Sequence, residues 1–281
     1  MFIVSGAKGQ LGSDVCALLK EKNIPHTGID IDDLDITDEK AVEEFFSKNE
    51  VSCFIHCAAY TAVDKAVSQE ELCMAVNYKG TRNIAVQCGK HNAKMLYVST
   101  DYVFGGVGTE PHETYSPKNP LSVYGKSKYL GEKAVEEHCK KHFIVRTSWV
   151  FGEKNTNFIA TMLRLSETRD EVNVVSDQIG SPTYSKDLAR LICDIAESEK
   201  YGTYHGTNEG FCSWSDLAEK AFKLAGRSTR VNPIKTDEYP TAAKRPLNSR
   251  LSKTSLDEAG FERLPEWEYA VKKYIINLKR C

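Results

Sequence analysis

The chain has 281 residues, 41% of them hydrophobic, so it can bury a substantial core in one large or two small domains. With 37 Lys and Arg against 39 Asp and Glu, the net charge of −2 excludes the strongly basic surface typical of nucleic-acid and membrane-surface binding. No apolar run approaches the roughly 18 residues of a membrane span, and the amino terminus predicts a strand instead of a signal peptide. We therefore expect a cytoplasmic protein whose partners are small molecules, with neither nucleic acid nor membrane among them.

Nine cysteines stand singly along the chain, at positions 16, 53, 57, 73, 88, 139, 193, 212 and 281. None belongs to a Cys-x-x-Cys pair, so we expect reduced thiols and not a disulfide framework. His138 and His142 have metal-ligand spacing on a predicted helix, but their charged surroundings lack the glutamate of a zinc-protease helix. We predict no metal site within the chain.

Short apolar runs alternate with longer amphipathic stretches over the first 150 residues. The pattern predicts strands at 2–5, 26–30, 52–58, 94–99 and 143–148, with helices over 10–22, 38–49, 70–91 and 123–141 between them. This alternation is typical of an α/β protein with a doubly wound parallel sheet of the Rossmann type, which we expect to have six strands joined by right-handed crossovers.

The regular alternation stops near residue 150, and turn-rich segments follow at 177–184, 206–214 and 242–252. We therefore predict a Rossmann domain over 1–150. A smaller carboxyl-terminal domain over 151–281 would lie on the carboxyl edge of the sheet, with segments of about 172–200 returning to the Rossmann sheet.

Three glycines follow the first predicted strand at intervals of three residues. Gly6, Gly9 and Gly12 join this strand to the first helix. They permit a tight turn and let the backbone and the helix amino terminus approach a pyrophosphate. Asp30 ends the second predicted strand, about 20 residues further on, where a dinucleotide-binding fold places the ligand of the adenosine ribose. The spacing predicts that the amino-terminal domain binds NAD(P).

The segment that follows Asp30 carries several carboxylates and no arginine. This charge suits the free 2′-hydroxyl of NADH and would repel the 2′-phosphate of NADPH. We interpret Asp32, Asp33 and Asp38 as loop and cap residues. We therefore expect NADH to be used well, with NADPH as a second cofactor.

A second group of polar residues follows the fourth predicted strand. Thr100 and Asp101 end this strand, and Tyr124 and Lys128 lie at the start of the next helix. Because residues four apart share one helix face, the ammonium of Lys128 can lie near the phenol of Tyr124. A nearby cation lowers the pKa of a tyrosine toward working pH, which suits a general acid.

Six motifs occur in order along the chain: GAKGQLG, AAYTAVDKA, STDYVFGG, YGKSK, RTSWVFG and DQIGSPT. Together they resemble the extended short-chain dehydrogenase/reductase family, and within it the enzymes that reduce dTDP-linked keto sugars. The resemblance covers nearly the whole chain, including RPLNSRLS near its end. It implies hydride transfer from NADH or NADPH to the 4-keto carbon of dTDP-4-dehydro-L-rhamnose, in the biosynthesis of cell-surface polysaccharide.

Matching the motifs residue by residue, the resemblance implies individual roles. The catalytic residues would be Tyr124 as proton donor, Lys128 as ligand of the nicotinamide ribose, and Thr100. The cofactor-binding residues would be Gly6, Gly9, Gln10, Leu11, Gly12, Asp30, Asp35, Ile36, Ala58, Ala59 and Tyr60, with Tyr124 and Lys128. The substrate-binding residues would be Thr100, Asp101 and Trp149, with Arg245 and Arg250 as candidate ligands of the diphosphate because guanidinium groups bind phosphate oxygens in a fork.

Several residues keep a second interpretation at this point. Trp149 could be a core aromatic residue, and Arg245 and Arg250 could be surface charges that hold the carboxyl-terminal segment. Asn77 could be a polar support beneath the strands or a helix residue that contacts the cofactor side. The sequence does not separate these alternatives.

Two other functions also stay open. A nucleotide-sugar 4-epimerase or 4,6-dehydratase uses the same scaffold, but a dehydratase of this family typically has a second acid where Tyr102 follows Asp101. A non-catalytic NAD(P)-binding regulatory subunit, resembling that of methionine adenosyltransferase, is the other. The complete set of Thr100, Tyr124 and Lys128 favours an enzyme. The sequence decides neither between a monomer and a homodimer nor whether Mg²⁺ bridges two subunits.

Overall fold

The computed structural model describes residues 1–278 of the chain. Its strands are β1 (Phe2–Ser5), β2 (His26–Ile29), β3 (Cys53–His56), β4 (Lys94–Thr100), β5 (His142–Thr147), β6 (Val150–Phe151), β7 (Glu171–Val175), β8 (Ile179–Gly180), β9 (Thr183–Tyr184), β10 (Gly202–His205), β11 (Cys212–Ser213), β12 (Arg230–Ile234) and β13 (Asn248–Ser249). Its α-helices are α1 (Gln10–Glu21), α2 (Glu39–Lys48), α3 (Glu70–Met74), α4 (Thr81–Lys90), α5 (Val123–His138), α6 (Phe158–Leu165), α7 (Ser185–Glu197), α8 (Trp214–Ala225), α9 (Thr254–Ala259) and α10 (Trp267–Leu278).

The central sheet has six parallel strands in the order β10-β5-β4-β3-β1-β2. The chain therefore moves outward from β1 to β2, returns across β1 to β3, and continues in the opposite direction. This reversal leaves a crevice at the carboxyl ends of β1 and β3, where such sheets bind ligands. The prediction of a six-stranded doubly wound sheet is confirmed.

Both faces of the sheet are covered by helices, because neighbouring strand residues point to opposite sides. Val4 and Ile55 pack with buried residues of α1, α7 and α9 on one face. Ile3 and Phe54 pack with α2, α4 and α5 on the other. The strands are buried on both sides, which explains why they appear in the sequence as short continuous apolar runs.

The carboxyl-terminal part of the chain has a separate core. Helices α6, α8 and α10 bury Phe151, Ile159, Leu217 and Trp267 among them, and β7 pairs with β12 in a two-stranded parallel sheet. Two further small sheets join β11, β8 and β13, and β6 with β9.

The segment 172–200, expected to return to the Rossmann sheet, divides between the two parts of the molecule. Helix α7 packs on the central sheet, whereas most of β7 lies in this segment and pairs outside that sheet. The strand that completes the central sheet is β10, which follows the segment and pairs with β5. The strands with which β7 and β10 pair, and not their apolar patterns, decide that only β10 belongs to the central sheet. The division at residue 150 stays a prediction.

Between residues 1 and 278, no helix is long and apolar enough to cross a bilayer. The eight cysteines of this part of the chain are free thiols, and Cys281 lies outside the described residues.

A buried ion pair joins helix α5 to strand β5. Arg146 is 2% exposed and donates from Nε and Nη2 to the two carboxylate oxygens of Glu132, each at 2.8 Å. Arg146 Nη1 also donates to the carbonyl of Thr114 at 2.8 Å, and Ser99 Oγ donates to Glu132 Oε1 at 2.6 Å. The pair therefore connects α5, β4, β5 and the loop that crosses in front of them.

Replacing one partner of this pair leaves the other charge buried without compensation. We expect Glu132→Gln to lower the free energy of unfolding by about 3–5 kcal/mol, as measured by urea denaturation. Glu136→Gln, on the exposed side of the same helix, should change it by less than about 0.5 kcal/mol. Equal effects of the two substitutions would contradict a structural role for the buried pair.

Candidate active site

A cleft of about 820 Å³ opens where the carboxyl ends of β1, β3, β4 and β5 meet the starts of α1 and α5. It brings together most of the residues predicted to form the site. These are Gly6, Gly9, Gln10, Leu11, Gly12, Asp30, Asp35, Ile36, Ala58, Ala59, Thr100, Asp101, Tyr124, Lys128 and Trp149. Tyr60, Arg245 and Arg250 do not line it.

The glycine loop approaches the neighbouring backbone more closely than any side chain would allow. Gly6 has a φ of +68°, and a Cβ on it would lie 2.8 Å from the backbone nitrogen of Ala58. A Cβ on Gly12 would lie 2.2 Å from the carbonyl oxygen of Gly6. No side chain caps the amino terminus of α1, so its first N–H groups are available to a ligand in the cleft. This cradle fits the pyrophosphate of a dinucleotide.

The carboxylate of Asp30 is held in place at the end of β2. Its Oδ2 accepts a hydrogen bond from the backbone N–H of Lys8 at 3.0 Å, and its Oδ1 accepts one from the N–H of Ile31 at 2.9 Å. Asp35 Oδ1 accepts hydrogen bonds from the backbone N–H and from the hydroxyl of Thr37, which fixes the turn after Asp35. Asp30 thus has the position expected of a ribose ligand.

Thr100, Tyr124 and Lys128 all line the cleft. Ser122 caps α5 by accepting a hydrogen bond from Gly125 N at 3.1 Å, which starts the helix just before Tyr124. The hydroxyl of Thr100, which lines the same cleft as Tyr124, opposes the rise in the pKa of the Tyr124 phenol. Lys128 Nζ donates to the carbonyl of Val98 at 2.7 Å. The structure thus brings the three side chains into one cleft, and their catalytic roles stay predictions.

The protonation of Tyr124 differs from the expectation. Burial raises the pKa of Tyr124 well above 10, and this effect outweighs the opposing influence of Thr100. Burial also lowers the pKa of Lys128 to about 7. The prediction that Lys128 lowers the tyrosine pKa is therefore wrong, because burial outweighs a lysine that is itself buried and bonded to Val98. Tyr124 remains a neutral phenol at pH 7, which is the state that a proton donor requires.

Asp101 places a carboxylate oxygen without a partner in the cleft. The residue is 2% exposed, and its Oδ1 accepts a hydrogen bond from Thr100 Oγ1 at 2.9 Å. Among the described residues, no hydrogen-bond partner reaches its Oδ2. Burial raises the pKa of Asp101 to about 6. A ligand hydroxyl donated to Oδ2 would satisfy this oxygen.

Two stacked tryptophans form one wall of the cleft. Trp149 has a φ of +50°, rare for a residue other than glycine, and its ring stacks on Trp214 with the centroids 3.7 Å apart. Trp214 Nε1 donates to Gln178 Oε1 at 3.2 Å. Sequence reasoning missed Trp214, because an aromatic residue at the start of a helix gave no signal of its proximity to Trp149. Lys8, Asn155 and other lining residues were missed likewise.

Asn77 supports the cleft from below. It lies in a π-helical turn, Ala75–Gly80, which joins α3 to α4 within the single helix predicted over 70–91. Its side chain accepts a hydrogen bond from Tyr60 N at 2.8 Å and donates to Tyr60 O at 3.0 Å and to Ser127 Oγ at 3.0 Å. Asn77 therefore joins the segment after β3 to helix α5, and Tyr60 takes part through its backbone.

The two arginines proposed as a diphosphate clamp have other partners. Arg245 forms a bidentate ion pair with Asp64, at 3.1 Å and 2.6 Å, and thereby holds the carboxyl-terminal segment against the loop after β3. Arg250 Nη1 donates to Asn248 Oδ1 at 3.0 Å. The ion pair with Asp64 fits the second interpretation of Arg245, and the role of the two arginines in binding the diphosphate stays a prediction.

In the part of the chain that the structure describes, no three His, Cys, Asp or Glu side chains are grouped closely enough to hold a metal ion.

Comparison with known proteins supplies the family. A profile described as the RmlD substrate binding domain matches residues 1–280. The chain belongs to this family. A dTDP-4-dehydrorhamnose reductase from Aggregatibacter actinomycetemcomitans is 40% identical to it, with 96% of each sequence covered.

Solved structures of proteins named dTDP-4-dehydrorhamnose reductase superpose closely on this chain. A dTDP-4-dehydrorhamnose reductase from Clostridium acetobutylicum is 41% identical, with a TM-score of 0.97 over 99% of each chain. Another, from Bacillus anthracis and in complex with NADP, is 40% identical, with a TM-score of 0.95 over 98% of each chain. The resemblance inferred from the motifs is confirmed.

The effect on stability of the close contact at Gly6 can be measured apart from the effect of its positive φ. Gly108 also has a positive φ, +82°, but a Cβ on it would meet nothing within 4 Å. We expect Gly108→Ala to lose about 1–2 kcal/mol of stability from backbone strain alone. Gly6→Ala should lose about 1–3 kcal/mol more from the clash with Ala58, and should weaken NADPH binding. Urea denaturation measures the stability of both variants, and nucleotide fluorescence titration measures their affinity for NADPH. Equal losses of stability in Gly6→Ala and Gly108→Ala would contradict a clash at Gly6.

The lowered pKa of Lys128 makes stability depend on pH. Because the folded pKa is about 7 and the unfolded pKa about 10.5, the unfolded chain binds more protons between these values, and stability rises with pH there. The stability of the wild type relative to Lys128→Met should rise by up to about 1.4 kcal/mol per pH unit from pH 7 to pH 9 in urea denaturation. The stability of the wild type relative to Lys126→Met, a substitution of an exposed lysine on the same helix, should not change with pH in this range. An equal pH-dependent difference between the wild type and Lys126→Met would exclude Lys128 as the cause of the slope.

Proposed function

We propose that this chain reduces dTDP-4-dehydro-L-rhamnose to dTDP-L-rhamnose with NADH or NADPH, in the biosynthesis of nucleotide sugars for cell-surface polysaccharide. The observation that carries the proposal is the meeting of Thr100, Tyr124 and Lys128 beside the glycine cradle, in one cleft. Membership of the family, with 40% identity to a reductase of that name, supports the substrate.

The cofactor-binding residues lie along one side of the cleft. Gly6, Gly9 and Gly12 with the amino terminus of α1 would hold the pyrophosphate, and Asp30 would hold the adenosine ribose. Bound NADH or NADPH supplies the hydride for reduction of a carbonyl. Lys128 reaches the floor of the cleft through its bond to Val98 and can bind a ribose hydroxyl there.

Tyr124 would donate the proton that reduction of a carbonyl requires. Its raised pKa keeps the phenol protonated at pH 7, and Thr100 lines the same cleft, where its hydroxyl can face the phenol. Thr100 in turn donates to Asp101 at 2.9 Å, so the hydroxyl of Thr100 is fixed and its lone pairs can face Tyr124.

The sugar nucleotide would lie against the opposite wall. The free Oδ2 of Asp101 suits a sugar hydroxyl, and the ring of Trp149 presents an apolar face or edge to the substrate. Arg245 would bind the diphosphate by exchanging its partner Asp64 for a phosphate, since this ion pair is partly exposed.

The rival functions predict different cofactor use. An epimerase or dehydratase returns the hydride to the product and consumes no added NADH, whereas the proposed reductase oxidises one NADH for each sugar reduced. A regulatory subunit would bind the dinucleotide without turnover. The residue after Asp101 is Tyr102, which packs edge to face on Tyr124 at 5.6 Å and supplies no second acid for dehydration.

We place the reaction in the cytoplasm, since the cysteines within residues 1–278 are unpaired thiols, as in a reducing compartment. A homodimer and a Mg²⁺ ion between subunits, which the sequence left undecided, form no part of the proposal.

Removal of the Tyr124 hydroxyl should abolish most of the activity. We expect Tyr124→Phe to lower kcat for oxidation of NADH with dTDP-4-dehydro-L-rhamnose by at least about 100-fold, the low end for removal of a general acid. The affinity for the dinucleotide should stay within about twofold, because the substitution leaves the glycine cradle and the position of Asp30 unchanged.

Tyr129→Phe is the matched control, since Tyr129 lies on the same helix outside the cleft, against the cluster of Val103, Phe104 and Leu251. It should keep the wild-type rate. A wild-type rate in Tyr124→Phe would refute the assigned proton donor.

A further inference from the structure

Lys128 is a buried amine without an acidic partner in contact. The residue is 2% exposed, and its Nζ donates to the carbonyl of Val98 at 2.7 Å. Among residues 1–278, it forms no ion pair with a carboxylate. Removal from water penalises the charged form of an amine, so the ammonium of Lys128 depends on the other groups that face it.

The ring of Tyr97 is one of these groups. Lys128 Nζ lies 4.0 Å from the ring centroid, well within the roughly 6 Å over which an aromatic face attracts a cation. Tyr97 directly precedes Val98 on β4, so one strand presents both contacts to the amine. Burial raises the pKa of Tyr97 well above its ordinary value, so the contact is with a neutral ring and not with a phenolate.

Packing fixes the Tyr97 ring in this position. The residue is fully buried, and its hydroxyl donates to the carbonyls of Asn77 and Lys128, each at 3.4 Å. A Cβ on Gly131 would lie 2.3 Å from this hydroxyl, so helix α5 presses directly on the ring. The face of the ring is therefore held against the amine without a strong hydrogen bond of its own.

His56 stacks on Tyr97 with the ring centroids 5.7 Å apart. Its two ring nitrogens are bonded to Ser5 Oγ at 2.7 Å and to Thr81 Oγ1 at 3.1 Å. Burial, with a smaller contribution from Lys128, lowers the pKa of His56 to about 3. The imidazole is therefore neutral and adds no positive charge beside Lys128.

The remaining groups near Lys128 supply little charge at close range. Glu132, one turn further along α5, attracts the ammonium, but both of its carboxylate oxygens are bonded to Arg146. Burial raises the pKa of the thiols of Cys57 and Cys73, so both are neutral at pH 7. The face of Tyr97 is thus the nearest attraction for the ammonium besides the Val98 carbonyl.

We propose that Tyr97 is a positioning residue for the reaction, whose ring face holds Lys128 in place and favours the charged ammonium over the neutral amine. The inference rests on the proposed function in giving Lys128 a part in turnover, whereas the contact itself does not depend on that function. A charged ammonium is the stronger donor to a ribose hydroxyl. Loss of π density from the ring should weaken this effect even when the shape of the ring is kept.

Three changes at position 97 separate the π face from the shape of the ring. Tyr97→Phe removes only the hydroxyl, Tyr97→Leu removes the ring, and replacement of Tyr97 by a trifluorinated phenylalanine keeps the ring but withdraws its π electrons. Tyr204→Leu is the matched control, since Tyr204 is buried in the same sheet, on β10, and does not line the cleft.

The first measurement is kcat/KM for NADH oxidation with dTDP-4-dehydro-L-rhamnose from about pH 6 to about pH 8. Lys128, with a pKa of about 7, loses its proton in this range, and Tyr124 does not. Asp101, with a pKa of about 6, affects all variants alike. Because a weaker contact lowers the pKa of Lys128, the trifluorinated ring and Tyr97→Leu should lower kcat/KM by about three- to 30-fold at pH 8 and by less than about fourfold at pH 6.

Tyr97→Phe and Tyr204→Leu should stay within about twofold of the wild type at both pH values, because Tyr97→Phe keeps the π face and Tyr204→Leu leaves it untouched.

Stability gives a second measurement that does not depend on turnover. Below pH 7 the folded chain holds Lys128 charged, so a weaker ring contact destabilises it, whereas well above pH 7 the amine is neutral and the contact loses its effect. In urea denaturation, the trifluorinated ring should therefore lose more stability relative to Tyr97→Phe at about pH 6 than at about pH 8.5. The loss caused by Tyr204→Leu should be the same at both.

Equal loss of kcat/KM at both pH values, or a stability loss from the trifluorinated ring that does not change with pH, would overturn the inference. Absence of turnover in the wild type, together with the pH-dependent loss of stability, would refute the proposed function and leave the contact of Tyr97 with Lys128 standing. Normal turnover that fluorination does not change at either pH would refute the role of Tyr97 alone.

Discussion

The reversal of strand order between β1 and β3 is the constraint on which the rest of the structure depends. Because α1 covers one face of the sheet and α2 the other, no helix closes the space above these two strands. The backbone contact of Gly6 with Ala58 brings the two strand ends together at this point. Every parallel strand delivers its carboxyl end to the same edge, so residues far apart in the chain line one cleft.

Burial decides the chemistry within that cleft more than charge does. It keeps Tyr124 protonated, lowers the pKa of Lys128 to about 7, and raises that of Asp101 to about 6. These shifts share one cause, the removal of charged groups from water. Lys128 and Asp101 are held by polar contacts, to the carbonyl of Val98 and to the hydroxyl of Thr100 respectively. A proton donor that is neutral at pH 7 follows from this packing without any help from a neighbouring cation.

Local patterns predicted much of this site. The glycines of the first loop follow from the turn that they must form, and the four-residue spacing of Tyr124 and Lys128 follows from helix geometry. The sequence did not predict that the pKa of Tyr124 is raised, because desolvation depends on everything packed around a group. The role of Arg245 was also beyond the sequence, since Asp64, its partner, lies 181 residues away in the chain.

The sequence by itself determined the doubly wound fold, the glycine cradle and the family, because each rests on local residue types in a fixed order. Tertiary structure alone decided that Trp214 stacks on Trp149, that Arg245 pairs with Asp64, and that Lys8 lies beside Asp30. These are contacts between distant segments, and they depend on which strand ends and loops meet after the chain has folded. Periodicity records which face of an element is buried, but it does not record which residue lies across from it.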